Sequence, residues 1–288
     1  MNARPTDRIT VYRPNQRHEL GLFATWAVMA RNVWNARELI WQLFKRDFLA
    51  SYKKSFIGFT WIFLSPIIGI LNWVFLNAVG VLEPGDTGDV PYPAYVMVGS
   101  AMWGLFLSFY RASSETLTSG SALVLQVNYP HEALLFKQVA QQMANFTLSF
   151  VTTIVVVLAY GVVPSWKTVL LPLVVLPLFF LASAIGLIFS MTKVVAIDLD
   201  KAVTAGMALL LYSIPVVYTD NVPHPLIEKI IRWNPLTYLI CSPRDIIVYG
   251  RLYDAPAYFI CAGGALALFL IAWRLFYVSE HKLVERMI

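Results

Sequence analysis

The sequence predicts an all-α integral membrane protein with six transmembrane helices and both termini on the cytoplasmic side. Three observations predict it. Only 14% of the 288 residues are charged and 58% are hydrophobic, whereas a soluble domain carries about 25% charge. Six runs contain no Asp, Glu, Lys or Arg: Ser55–Leu82, Val90–Tyr110, Gln138–Trp166, Thr168–Thr192, Ala202–Thr219 and Ala255–Trp273. A helix crossing a bilayer needs roughly 20 mostly apolar residues, and the runs are of that order, the fifth being the shortest. Finally, the Lys and Arg outside the runs divide seventeen to five between alternate segments. The positive-inside rule places the richer set, with both termini, in the cytoplasm.

Taken in order, residues 1–33 read as a flexible cytoplasmic tail. The first twenty hold four Arg and two Pro and no apolar core of a signal peptide. Residues 34–54 read as an amphipathic helix. Ile40, Leu43, Phe44, Phe48 and Tyr52 share one broad face; Glu38, Gln42, Lys45, Arg46 and Lys53 share the other, with Arg37 and Asp47 interrupting the apolar side. Such a helix lies in the membrane interface or packs on a partner, and the interface reading is favoured. Arg46, Lys53 and Lys54 then sit among the inner headgroups, where anionic lipid attracts cations.

The transmembrane domain spans 55–273, with helices expected at about 56–82, 92–110, 139–163, 168–192, 202–219 and 255–273, and a cytoplasmic tail at 274–288. Between the second and third, SGSALVLQVNYPHE (Ser119–Glu132) suits a short helix or a plain connecting loop. Before the last, 220–254 carries four prolines around two short apolar-rich pieces. Asn234 followed by Pro235 is a good helix start, Asn as cap and Pro in the first turn. These pieces are either re-entrant half-helices, which survive at membrane depth only when buried in protein or lining a cavity, or a structured external loop.

The charge-free runs exclude some functions. Ion-coupled transporters use ionisable or coordinating groups at membrane depth, and enzymes need an acid, base or metal cluster. The six runs also lack His, and Cys241, Cys261 and the four histidines show no metal or redox spacing. No glycine is followed by lysine, so no phosphate-binding P-loop is present. The expectations are no metal, no catalytic residue, no cofactor in this chain and no nucleic-acid partner. Energy for transport must come from another polypeptide.

What the runs do hold is polar and neutral. Gln138, Gln141, Gln142, Asn145, Ser149, Thr152 and Thr153 form one stripe in the third; Trp61, Ser65 and Asn72 share a face of the first, and Gly99, Trp103, Phe106 and Tyr110 a face of the second; Thr204, Tyr212, Pro215 and Thr219 align in the fifth. Such stripes glue helices together or line a hydrated conduit. Neutral donors beside aromatic faces suit sugars, whose hydroxyls bond at the rim while C–H groups pack on electron-rich rings.

The order and spacing of Arg46, Asp47, Tyr52, Lys53, Ser55, Gly58, Trp61 and Pro66 resembles the start of the membrane subunits of bacterial polysaccharide ABC exporters, the ABC-2 type permeases for O-antigen, capsule and teichoic acid. The likeness continues through Tyr92, Pro93, Gly99 and Trp103, then Ser121, Leu123, Val124, Val127, Tyr129, Pro130 and Glu132, then Asp198, Pro215 and Tyr218, and finally Asn234, Pro235 and Tyr238. It departs at Ile197, where the family often has Arg, and at Leu125, Gln126 and His131, where it commonly has basic residues.

The resemblance implies two permease copies with two ATP-binding subunits that hold ATP and Mg, in the bacterial cytoplasmic (inner) membrane. It implies that the surface helix with Phe44, Arg46, Phe48, Lys53 and Lys54 lies near the ATPase. Ser121, Leu123, Val124, Val127, Tyr129 and Pro130 would form the coupling helix docked into it. Trp233, Asn234, Pro235 and Tyr238 would belong to re-entrant helices at an external gate. The expected cargo is a lipid-linked polysaccharide, with Trp61, Asn72, Trp103, Phe106, Tyr110, Asn145 and Tyr212 facing the passage. The other readings are an ABC-2 permease for a lipid or drug, and less favoured, a membrane scaffold or a lipid-modifying enzyme.

Overall fold

A computed structural model describes residues 21–53, 58–116, 131–193 and 198–285, and every regular element among them is helical. Helix α1 (Leu22–Asn35) turns at Ala36 into α2 (Arg37–Lys53). Helix α3 (Thr60–Ala78) ends where Gly80 takes φ 74°, and the N–H of Val81 returns to the Leu76 carbonyl at 3.0 Å. That left-handed closure satisfies orphan carbonyls and needs glycine's freedom. Helices α4 (Tyr92–Ser114), α5 (His131–Ala159) and α6 (Leu171–Lys193) follow, with a 3₁₀ turn (Trp166–Leu170) leading into α6. Then come α7 (Asp198–Leu210), a 3₁₀ turn (Leu211–Ser213), α8 (Pro225–Trp233), α9 (Pro235–Val248) and α10 (Ala255–Glu285).

The core is α4 against α6. Sixteen residues of α4 are buried, among them Val96, Met97, Met102, Leu105, Phe106 and Phe109. A helix apolar on all sides belongs inside a bundle. Its approach to α6 is close because Gly186 lies against the Tyr110 carbonyl and Ser113, the small-residue device of helix contacts in lipid. α10 packs along α6, and Phe179, Phe180, Phe269 and Trp273 join in a ring cluster at centroid distances of 5.2–5.6 Å. α5 covers α4, α3 leans on both, and α7 rests mainly on α6.

Among the described residues, four helical stretches are long and apolar enough to cross a membrane: Thr60–Ala78, Ala133–Ala159, Trp166–Lys193 and Ala255–Ser279. α4 has the length, but Tyr92, Pro93, Tyr95, Ser100, Trp103 and Ser108 dilute its hydropathy. Its neighbours, rather than lipid, cover it.

Three boundaries differ from expectation. The tail proposed for 1–33 contains α1. Met29 is fully buried, and the Trp26 indole N–H donates to the Leu270 carbonyl of α10 at 3.1 Å. The fifth span, expected through 219, is helical only to Ser213; Ile214 is extended, and irregular turns and bends follow to Thr219. Pro215 explains this: it has no N–H to give, and its ring disfavours helix at the residue before it. The tail expected from 274 is instead helical, since α10 runs unbroken to Glu285.

Candidate functional site

The chemistry-bearing side chains gather at the end of the bundle formed by the Val79–Val90 connection, the irregular segment Ile214–Thr219, and α8 and α9. α9 begins as the sequence suggests: the Asn234 side chain accepts from the Leu236 N–H at 3.0 Å and Pro235 follows in the first turn. The helix is not a loop on the surface. Leu236, Leu239, Ile240, Cys241, Ile246 and Ile247 are buried against α6, α10 and α4. That is the burial a half-helix at membrane depth requires.

One pair in this helix was not legible in the sequence. Arg244 is 3% exposed and Asp245 5%. The Arg244 Nε donates to Asp245 Oδ1 at 2.8 Å, and Nη1 donates to the Tyr95 hydroxyl at 2.6 Å and the Pro215 carbonyl at 2.7 Å. The guanidinium also lies 4.3 Å from the centre of the Tyr95 ring. The partners are 149 and 29 residues away in sequence. The readable signal was an Arg-Asp dipeptide inside an apolar stretch, which polar flanks disguised as an external loop.

Tyrosines complete the cap. Tyr95 donates to the Tyr218 carbonyl at 3.2 Å, Tyr92 to that of Val217 at 3.0 Å, and Tyr249 to that of Thr87 at 3.0 Å. Tyr238 donates to the Arg232 carbonyl at 2.8 Å, and its ring centroid lies 6.1 Å from that of Tyr253. The Tyr253 hydroxyl donates to Asp220, and burial together with that carboxylate pushes the phenol above its ordinary pKa. Trp233 is 80% exposed, on a face of α8 shared with Leu226 and Ile230.

The residues expected to face a passage divide into two groups. Trp61 and Asn72 on α3 and Tyr212 after α7 are exposed, and the Tyr212 and Trp73 rings meet at 6.1 Å. Trp103, Phe106 and Tyr110 lie inside the protomer. Trp103 stacks on Phe106 at 5.3 Å, and Tyr110 meets Phe189 edge-on at 6.3 Å. Asn145 is half-buried in α5. Of the α5 stripe, the hydroxyls of Ser149 and Thr153 bond back to Phe146 and Ser149 in their own helix, and Thr152 Oγ1 is buried with no hydrogen-bond partner.

At the other end of the bundle, Leu43 of α2 is buried against Ala133 and Leu134 of α5. Phe44 stacks on Trp41 at 5.3 Å and leans on Phe48 at 5.6 Å. Asp47 takes ion pairs from Arg46 at 2.7 Å and from Lys137 at 2.5 Å. Partial burial alone would raise its pKa, but the two cations hold the carboxyl below its ordinary range. The apparent interruption in the amphipathic pattern is therefore a contact. The rest of the surface is wet or lipid-facing: Trp41 is 59% exposed and Leu49 56%. Lys54 and the residues expected to form a coupling helix, Ser121, Leu123, Val124, Val127, Tyr129 and Pro130, lie outside the described residues, as does the Lys53 side chain. Among the described residues, no cluster of three or more His, Cys, Asp or Glu could hold a metal.

Apolar helices around a buried α4–α6 pair, with a surface helix at one end and a buried half-helix cap at the other, define a multi-pass membrane domain. The profile of the ABC-2 type transporter family matches residues 38–248. The chain belongs to that family, whose members are transport subunits rather than enzymes and work with an ATP-binding ABC subunit. It is similar to the O-antigen export system permease protein RfbA of Myxococcus xanthus, 27% identical over 260 residues that cover 89% of this chain and 98% of that one. Two proteins of the same name from Klebsiella pneumoniae are 23% and 22% identical over 218 residues, each covering 75% of this chain and 82% of the relative.

Proposed function

We propose that this chain is the transmembrane subunit of an ATP-driven exporter that moves a lipid-linked polysaccharide across the bacterial inner membrane. The observation that carries the reading is the near end-to-end match to a relative named for O-antigen export, with 98% of that protein covered. The chain works as a pair of copies with two ATP-binding subunits, which hold ATP and Mg. It spans the membrane six times, with both termini inside; α4 and α7 supply the second and fifth crossings although they fall short of the apolar four.

In this reading the segment 111–137 faces the cytosol, and Leu123, Val124 and Val127 dock into the ATPase. Hydrolysis there pulls on the α4–α5 connection and so on the α4–α6 core. The open faces of α3 and α7, with Trp61, Asn72 and Tyr212, line the passage between the two copies and offer neutral polar groups beside aromatic rings to the glycan. α8 and α9, with Trp233, Asn234, Pro235 and Tyr238, close its outer end. Exposed positive ends of α2 sit among the inner headgroups.

The test is a double variant, Leu123→Asp with Val127→Asp, in cells that export the glycan. Two apolar docking residues made anionic uncouple the ATPase while the permease still inserts, so export stops with membrane protein levels unchanged. Normal export sinks the coupling assignment. For topology, a cysteine replacing Asp86 reacts with a membrane-impermeant maleimide in intact cells; reaction only after lysis inverts the arrangement.

A further inference from the structure

The irregular segment Ile214–Thr219 poses a problem. Irregular backbone within a membrane domain needs every carbonyl answered, because hydrocarbon answers none. Here the Ile214 carbonyl is met by the Val216 N–H at 2.7 Å, and side chains of other elements meet three more. Arg244 Nη1 bonds the Pro215 carbonyl at 2.7 Å, with the Cys241 thiol on the same oxygen at 3.8 Å. Tyr92 bonds Val217 and Tyr95 bonds Tyr218, while the Thr219 N–H donates to the Pro84 carbonyl at 2.6 Å. Ahead of the segment, Asn234 Nδ2 donates to Ser213 Oγ at 3.0 Å. The fit to α4 is tight: a Cβ on Gly99 would stand 2.8 Å from the Val216 carbonyl oxygen.

Arg244 joins this arrangement into one unit. Its guanidinium fork touches three elements at once: Tyr95 of α4, the Pro215 carbonyl of the segment, and Asp245 of its own helix. The Tyr95 hydroxyl accepts from Arg244 and passes its own proton on to the Tyr218 carbonyl, so the two bonds support each other. Asp245 supplies the counter-charge that makes a guanidinium tolerable at this depth. By contrast, α7 just before the segment is largely exposed and rests mainly on α6.

We propose that Arg244 is a positioning residue that latches the segment Ile214–Thr219 to α4 and α9. The 3₁₀ turn Leu211–Ser213 is tied to the same unit, through the Tyr218 hydroxyl on the Tyr212 carbonyl at 2.7 Å and Asn234 on Ser213, so the cap behaves as a fixed collar on the α4–α6 core. The collar's part in closing the outer end of a glycan passage rests on the transport reading above; the latch itself does not.

The probe is a cysteine at Val217, which is 2% exposed, in full-length protein held in lipid nanodiscs, where a water-soluble maleimide reaches both faces. Its labelling rate is read above the background of Cys241 and Cys261. Val90→Cys, buried just ahead of α4 and making no bond to Arg244 or to the segment, is the control. With Arg244 in place both cysteines are slow. Arg244→Met speeds labelling at 217 by about tenfold or more through local opening, and leaves 90 slow. Tyr95→Phe, which keeps the ring and removes the hydroxyl, gives a smaller rise. Arg244→Lys, with one compact cation in place of the fork, falls between native and Met. Two results overturn the latch: position 217 staying slow in both Arg244→Met and Tyr95→Phe, or position 90 opening as much as 217. If 217 opens as expected in a protein whose native form exports no glycan, the transport reading fails and the latch stands.

Discussion

Replacing Gly186 with Ala adds one methyl group at the tightest point of the core. The new Cβ would stand 2.6 Å from the Tyr110 carbonyl oxygen, 2.6 Å from Ser113 Cβ and 3.0 Å from the Ser114 nitrogen. None of these is the loose end of a long side chain; two are backbone atoms. Favourable contacts between carbon atoms lie near about 3.5–4.0 Å, so α4 and α6 must part by roughly 1 Å at this level. Overpacking of this kind costs about 1–3 kcal/mol. Alanine returns part of it, since it favours a helix over glycine by about 1 kcal/mol. The net is a loss of up to about 2 kcal/mol, and of about 1–3 kcal/mol relative to a glycine-to-alanine change with no clash, concentrated in the seam on which α10 and α9 also depend. Thermal unfolding of the purified protein in nanodiscs, followed by helical circular dichroism, measures it. Gly104→Ala, on the exposed side of α4 with nothing within 4 Å of its added Cβ, is the comparison and unfolds at the native temperature or slightly above. If Gly186→Ala unfolds no lower than Gly104→Ala, the close approach does not hold the core and the reasoning fails.

Phe106→Ala removes a fully buried ring stacked on Trp103 at 5.3 Å. Lipid tails are as apolar as the ring, so the transfer part of the usual core penalty largely drops out. The cavity and lost contacts remain, about 2–3 kcal/mol; Trp61→Ala, at 45% exposure, leaves the melting temperature near native. Equal melting of the two variants would make Phe106 a surface group. Asp47 gives a pH dependence. Its folded pKa is lowered, so its stabilisation is complete above the ordinary carboxylate range, near pH 4, and is lost as pH falls through the lowered value. The difference in melting temperature between the native protein and Asp47→Asn is therefore constant from neutral pH down to about 4 and shrinks below it. A difference that does not change with pH would clear Asp47. Trp26→Phe leaves the Leu270 carbonyl without its indole donor and frees α1 to lift from α10, which limited proteolysis after Arg31 detects.

Much of the bundle could be read from runs of uncharged residues, because hydrocarbon penalises charge at every depth and the sequence records the penalty. Asn234–Pro235 likewise marked the start of α9, since a cap is a local event. α1 escaped because Leu22–Asn35 shows no clean polar face: Trp26 and Met29 pack inward while Phe23 and Trp34 point out, at 83% and 68% exposure. The end of α7 escaped for another reason. Averaged hydropathy counts Pro215 as one mildly polar residue, whereas the backbone feels a missing donor. Trp103, Phe106 and Tyr110 were legible as a shared face of one helix, but not what that face meets, which depends on Phe189 and the α6 seam. Arg244 and Asp245 were hardest. Adjacent opposite charges look like ordinary surface residues until Tyr95, far off in the chain, is brought beneath them.

The bond from Trp26 to Leu270 fastens the first described helix to the last, and the same last helix covers α6 along its length. A ribosome that has delivered everything up to Asp254 has therefore made a bundle with two bare seams. α1 lacks its Leu270 partner, and the rings of Phe179 and Phe180 lack their neighbour on α10, until Phe269 and Leu270 arrive. Biogenesis of this subunit is thus decided late, and a lesion in α10 strands helices that were inserted long before it.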